Sequence, residues 1–110
     1  LVLNNNTVLH STFINNAVLA EIINQCTNTT IHLSLFHADE WYVPSMDYWA
    51  KREENNTKVT PVVKSNIEVL DTWKNEGKGA HKIMCMGDET EIDILYKSLF
   101  LYVMVKNKHL

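Results

Sequence analysis

Residues 81–93, HKIMCMGDETEID, concentrate acidic side chains after a short apolar run. A strand, a Gly-Asp turn and a helix start in this order often hold a phosphate or a catalytic acid in α/β enzymes. Here Asp88 fits a helix N-cap, and Glu91 fits the capping-box position that bonds back to it. Four carboxylates within six residues would also repel a phosphate. The stretch therefore predicts a capped helix start and no active site of its own.

A second group combines His37, Asp39 and Glu40 with two aromatic residues, Trp41 and Tyr42. The first three could bind a metal, but three ligands within four residues rarely close a site without a distant fourth. A solvated turn is the favoured alternative. The aromatic pair, between two acids and a proline, could form the rim of a ligand site. One of the two is nevertheless expected to be core.

Three further patterns are weaker. The segment around Lys78, with a glycine on each side, is too short for a phosphate-binding loop and predicts a helix end and a turn. No Ser-His-Asp or Cys-His order along the chain indicates a hydrolase triad. Cys26 and Cys85 lie in apolar patterns, so buried free thiols are favoured over a disulfide. We therefore expect a reducing, cytoplasmic location.

Composition excludes several classes of protein. The 110 residues have a formal net charge of −3 and a pI of about 5.9, and no basic run exceeds two residues. This argues against binding to nucleic acid or to an anionic membrane surface. No apolar stretch approaches the roughly 20 residues that span a bilayer. With 45% apolar residues, the chain can fill one core, and we expect a single domain over residues 1–110.

Hydrophobic periodicity predicts short extended segments alternating with four helices. In residues 31–36 the alternation places Ile31, Leu33 and Leu35 inside and His32 and Ser34 outside. The other extended segments are residues 1–3, 7–10, 41–43, 59–63, 83–86 and 99–105. The helices are residues 15–26, 46–55, 66–76 and 88–98. Ser45 is predicted to cap the second helix, and the third has Ile67, Leu70 and Trp73 on one face. The order predicts an α+β domain: a mainly antiparallel sheet with about four helices on one face and the other face open.

Two segments resemble the cap domain of Cof-type phosphatases, which form subclass IIB of the haloacid-dehalogenase-like (HAD-like) superfamily. HKIMCMGDETEIDILYKSL is similar to the strand and helix that end such caps, and IHLSLFHADEWYV is similar to a family strand followed by an acidic, aromatic element. The segments occur in the family's order. The resemblance covers roughly residues 1–100 and implies a HAD type IIB cap-like fold.

The resemblance also implies a function. Family members are phosphatases of sugar phosphates and similar metabolites; a Rossmann-like core domain holds a nucleophilic aspartate, an acid/base aspartate and Mg²⁺. This chain contains neither D-x-D-G-T nor G-D-x-x-N-D, so the core is absent from it, and we assign it no catalytic residue and no metal ligand. In a cap, Asp39, Glu40, Trp41 and Tyr42 would face the substrate. The implied partners are the core domain and a small phosphorylated metabolite.

Two hypotheses about function remain after the sequence is read. The chain is either a cap domain, present as a fragment or truncated product, or a free-standing α+β module that binds a ligand or a protein without catalysis. An enzyme complete in 110 residues has little support. We also expect a weak homodimer, formed through the open sheet face or through the last extended segment, residues 99–105, as an unprotected edge strand.

Overall fold

The computed structural model describes the backbone of residues 6–108 and the side chains of residues 14–102. The elements in chain order are β1 (Asn6–Ile14), α1 (Asn16–Cys26), β2 (His32–His37), β3 (Glu40–Val43), α2 (Tyr48–Thr57), β4 (Val62–Val63), α3 (Asn66–Glu76), β5 (Ala80–Met86) and α4 (Glu89–Lys108). The strands form one sheet in the order β1-β5-β2-β3-β4. Its neighbours are antiparallel except for the parallel pair β3 and β4. The predicted α+β class and mainly antiparallel sheet are confirmed.

The main hydrophobic cluster lies between one face of the sheet and helices α1, α3 and α4. These helices bury apolar side chains at helical spacing, as Leu19, Ile22 and Cys26 do in α1. The buried members of the cluster are Ile14, Leu19, Ile22, Cys26, Leu33, Leu35, Val69, Leu70, Trp73, Ala80, Ile83, Cys85, Ile92 and Leu95. This is the face that the alternation in residues 31–36 assigned to the core.

Helix α2 packs on the opposite face of the sheet. Ala50 of α2 forms a second cluster with Trp41 and Val43 of β3, whereas Tyr42, between them, packs against the main cluster. Successive strand residues point to opposite faces, so α2 and the other helices lie on different sides. The helices therefore divide three to one, and the expectation of an open second face is wrong where α2 covers it.

Because α2 packs on this second face, the predicted exposure of two β2 residues is wrong. His32 and Ser34 are only 2% and 0% exposed, although the alternation placed them outside. Polar residues at every second position of a strand usually indicate a solvated face, which is why they were predicted to be exposed. The tertiary structure instead covers this face with the start of α2 and the loop before it. Met84 and Met86 on β5 are buried as well.

The helix starts follow from side-chain caps. The predicted helices 15–26 and 66–76 match α1 and α3, which begin after the caps Asn15 and Ser65. The N-cap of α2 is Asp47 instead of Ser45: its Oδ1 accepts a 3.0 Å hydrogen bond from the Ala50 N–H. On α3, Ile67 was expected in the core but is 60% exposed, because Val69 lies on the buried face with Leu70 and Trp73.

Helix α4 begins as predicted but ends much later. Asp88 Oδ2 accepts hydrogen bonds from the backbone N–H groups of Thr90 and Glu91, at 3.1 and 3.2 Å. The Glu91 carboxylate, expected to bond back to the cap, instead accepts hydrogen bonds from the backbone N–H and the hydroxyl of Thr30. The Asp88 and Glu91 carboxylates thus both stabilise the start of α4 by hydrogen bonds.

The predicted strand over residues 99–105 is wrong, because these residues continue α4. Every residue in that stretch is apolar, so period two cannot be told from period 3.6, and no glycine or proline ends the helix. The 20-residue helix also carries an i,i+4 ion pair, with Lys97 Nζ 2.9 Å from Asp93 Oδ2. The expected edge-strand route to a dimer is lost with the strand.

The first predicted strand, residues 1–3, lies outside the described residues, whereas the second is part of the longer strand β1. Within the described part of the chain, no helix combines the length and the apolar character that a membrane crossing requires.

Candidate functional site

The four residues predicted to face a substrate lie on the hairpin between β2 and β3. His37 pairs with Glu40 across the two-residue loop of Ala38 and Asp39. Ala38 has a φ of 50°, in the left-handed region that a tight hairpin loop often requires. Asp39 is exposed at the tip. The Asp39 carboxylate is therefore exposed to solvent, and β3 begins directly after it at Glu40.

Glu40 is the centre of a polar network on the side of α3. Its Oε1 accepts a 2.6 Å hydrogen bond from the Tyr42 hydroxyl, and its Oε2 lies 3.2 Å from Lys78 Nζ. Lys78 also pairs with Glu76 at 3.3 Å. The Tyr42 hydrogen bond, with help from Lys78, lowers the pKa of Glu40, and the same hydrogen bond raises the pKa of Tyr42. Both carboxylate oxygens are therefore engaged within the protein.

Trp41 points to the other face of the sheet and belongs to the core. Its side chain is 6% exposed and stacks on Phe36, with ring centroids 5.7 Å apart and planes 9° apart. Its indole Nε1 is buried and has no hydrogen-bond partner among the described residues. Of the two aromatic residues, Trp41 is thus the core residue, while Tyr42 is half-buried with its ring edge-on to Trp73 at 6.0 Å.

A cavity of about 260 Å³ lies on the Trp41 side, between the sheet and the C-terminal half of α2. Lys82 Nζ lies 4.8 Å from the centre of the Phe36 ring, which places a cation on the aromatic wall. The cavity is lined by Phe36, Asp39, Trp41, Glu53, Thr57, Val59, Lys82 and Met84. The structure therefore brings Asp39 and Trp41 together at one cavity and directs Glu40 and Tyr42 away from it.

Two histidines fix the hairpin tip against β5. His37 Nδ1–H donates a 2.7 Å hydrogen bond to the Gly79 carbonyl, and His81 Nδ1 accepts a 3.1 Å bond from the Ala38 N–H. The two imidazole centroids are 4.4 Å apart. Across the described residues, no group of three or more His, Cys, Asp or Glu side chains is arranged to hold a metal ion.

A hydrogen-bonded Asp47–His32–Ser34 chain was missed by the sequence analysis. Asp47 Oδ2 lies 2.9 Å from His32 Nδ1, and His32 Nε2 lies 2.8 Å from Ser34 Oγ. The order matches a hydrolase triad, but the serine is 0% exposed, so no substrate reaches its hydroxyl. His-x-Ser on one face of β2 was the available signal; the distant Asp47 could not be assigned to it without the fold.

The comparisons with known proteins identify the family. A family model described as haloacid dehalogenase-like hydrolase matches residues 1–105. No curated protein and no solved structure matches the chain significantly. Because the family match covers nearly the whole chain, the protein belongs to the haloacid dehalogenase-like hydrolases.

Proposed function

We propose that this chain is the substrate-specificity cap domain of a Cof-type HAD-like phosphatase that acts on sugar phosphates or similar phosphorylated metabolites. The family match over residues 1–105 supports a HAD-like origin, and the two resembling segments correspond to the β2–β3 hairpin and the β5–α4 unit. The observation that carries the proposal is the hairpin itself. It presents the exposed Asp39 beside an aromatic-walled cavity, as a surface that contacts a variable leaving group requires.

The chemistry in this proposal belongs to the core domain. Phosphoryl transfer through an aspartyl-phosphate needs a nucleophile, an acid/base group and Mg²⁺ close to one phosphorus atom. The sequence motifs that supply them do not occur in these 110 residues. The cap would close over the core, exclude water and discriminate among leaving groups. The two free buried thiols support a reducing compartment, and we propose the cytoplasm.

Asp39 provides the sharpest test, because its exposed side chain can be changed without disturbing the core. In the full reading frame that encodes the proposed core, D39N should change kcat/KM unequally across a panel of sugar phosphates, by about threefold to tenfold for the most affected. Asp71, an exposed carboxylate on α3, is the matched control, and D71N should leave the ratios unchanged. An equal effect of D39N on every substrate would contradict the proposed contact.

The isolated chain provides a second test. With Mg²⁺ it should release no phosphate from p-nitrophenyl phosphate, since it lacks the nucleophile. Metal-dependent turnover that survives repeated purification and is lost in D39N or D88N would overturn the cap assignment.

The second candidate function is a free-standing ligand-binding module, and the cavity under α2 favours it. The flanking reading frame distinguishes the two: a D-x-D-G-T segment upstream supports the cap, whereas start and stop codons at the ends of this chain support the module.

A further inference from the structure

Helix α2 is attached to the rest of the domain more weakly than its neighbours. Of its ten residues, all of them described, Ala50 is the one that is fully buried, whereas α1 and α3 each bury three. Trp49 is half-buried, and Tyr48 is 67% exposed. A segment with little buried apolar area has a low free energy of local opening.

The cavity beneath α2 also indicates that this helix is weakly attached. The cavity of about 260 Å³ lies between the sheet and Glu53 and Thr57, so the C-terminal half of α2 is not packed tightly on the strands. Under the same cover, the Trp41 Nε1–H has no hydrogen-bond partner among the described residues. A buried donor without a partner costs free energy, and it would regain a partner in water if α2 moved away.

One side chain counteracts this weak packing. Asp47 caps α2 through Oδ1 and binds His32 through Oδ2, so the carboxylate connects the start of the helix to the centre of the sheet. A carboxylate only accepts hydrogen bonds, so His32 Nδ1–H donates to Asp47, while Nε2 on the other side of the ring lies 2.8 Å from Ser34 Oγ. His32 and Ser34 are buried in β2, so these hydrogen bonds join the start of α2 to a solvent-excluded part of the sheet.

We propose that α2 is a lid over the second face of the sheet and that the Asp47–His32–Ser34 chain is the latch that holds it closed. When the bond between Asp47 and His32 breaks, α2 opens as a unit while the main cluster under α1, α3 and α4 stays folded. Opening increases the exposure of Phe36, Trp41 and Met84, the apolar wall of the cavity. Every group of the lid and the latch lies within residues 32–84, so neither requires the proposed phosphatase core.

Amide hydrogen exchange of the intact chain tests the latch, with two variants of Asp47. D47S keeps an N-cap hydroxyl but removes the carboxylate that reaches His32; it should speed exchange of the α2 amides by about tenfold to hundredfold, the value of a hydrogen bond to a charged group. D47N should have a smaller effect than D47S, of about tenfold or less, because it loses the charge but its amide oxygen can still cap and its N–H₂ can donate to His32 Nδ1. Exchange in α1, α3 and β5 should not change in either variant.

Imidazole ¹⁵N shifts give an independent readout, since D47S and D47N both alter the hydrogen-bond partner of His32 Nδ1 and should therefore shift its signal. The control is S65A, which removes the cap of α3 and should speed exchange in α3 without affecting α2. Unchanged α2 exchange in D47S would show that the bond is not a latch. An equal rise in α2 and in the sheet would show that α2 unfolds only with the whole domain; either result overturns the proposal.

Discussion

Trp41 and Tyr42 are adjacent in the sequence, yet their side chains pack on opposite faces of the sheet. Trp41 lies under α2 against Phe36, and Tyr42 lies on the side of α3 against Trp73. The hairpin that carries both therefore contributes to two separate clusters. A substitution at either position tests a different half of the domain.

Trp41→Ala should destabilise the domain strongly, because it removes a large side chain from the second cluster. We expect the free energy of unfolding to fall by about 3–5 kcal/mol, measured by urea denaturation. Trp49→Ala is the matched control, since Trp49 is half-buried and contacts Tyr48 and Arg52 on α2. Equal losses for the two variants would contradict the assignment of Trp41 to the core.

Tyr42→Phe should weaken the domain in a pH-dependent way. The pKa of Glu40 is lowered in the folded state, first by the Tyr42 hydrogen bond, so this stabilisation is present above the unfolded pKa of a glutamate and disappears as the pH falls through the folded pKa. We expect a loss of about 1 kcal/mol at pH 7 that shrinks at lower pH, once Glu40 is protonated.

Urea denaturation at a series of pH values measures this loss. Tyr48→Phe is the control, because Tyr48 is 67% exposed and its hydroxyl has no hydrogen-bond partner among the described residues. A Tyr42→Phe loss that does not vary with pH would show that the hydroxyl acts independently of the Glu40 charge.

Cys26 and Cys85 should be unreactive in the folded domain. Burial raises the pKa of each thiol to about 12, with smaller contributions from Glu91 for Cys26 and from Cys26 for Cys85. Because the thiolate is the nucleophile, iodoacetamide at pH 8 should leave both unmodified and should label both in denaturing urea. Mass spectrometry counts the adducts, and labelling of either folded thiol at the rate of free cysteine would contradict this.

The sequence predicted best where local chemistry decides the structure. The Asp88 cap and the helix end at Gly77, with a φ of 69°, were predicted, because they depend on short-range hydrogen bonds and on glycine's freedom at positive φ.

The predictions failed where tertiary packing decides. Burial of His32 and Ser34 depends on Asp47, which is 15 and 13 residues away in sequence. It also depends on α2, which buries only Ala50, so its sequence pattern does not show which face of the sheet the helix covers. For the candidate site, the turn between β2 and β3 was predictable from the sequence. The division of its residues between two faces required knowing that both faces are covered.

Ala38→Gly should stabilise the domain, because an alanine at φ 50° is strained and a glycine is not. The relief of strain exceeds the extra entropy that glycine loses on folding, so we expect a net gain of about 0.5 kcal/mol in the free energy of unfolding. Ala50→Gly is the contrasting change: Ala50 is buried within α2, and its replacement should cost about 1 kcal/mol. A destabilising Ala38→Gly would show that the loop is not strained.

Self-association remains a prediction, although its edge-strand route is lost and α2 covers part of the second sheet face. Residues 99–105 are helical, and Met84 and Met86 on the second sheet face are buried. Helix α4 offers another surface: Ile94 and Leu101 are seven residues apart on one side of the helix and are 60% and 61% exposed. Such an exposed apolar stripe is typical of an interface.

We therefore expect a weak dimer through α4, seen by sedimentation equilibrium as an average mass above 12.7 kDa at high micromolar concentration. Replacing both Ile94 and Leu101 by lysine should raise the dissociation constant at least about tenfold, because each side chain contributes apolar area and the new charges repel across a symmetric contact. Thr90→Lys, an exposed change in the first turn of the same helix, should leave it unaltered. A wild-type mass of 12.7 kDa throughout would show that α4 does not mediate self-association.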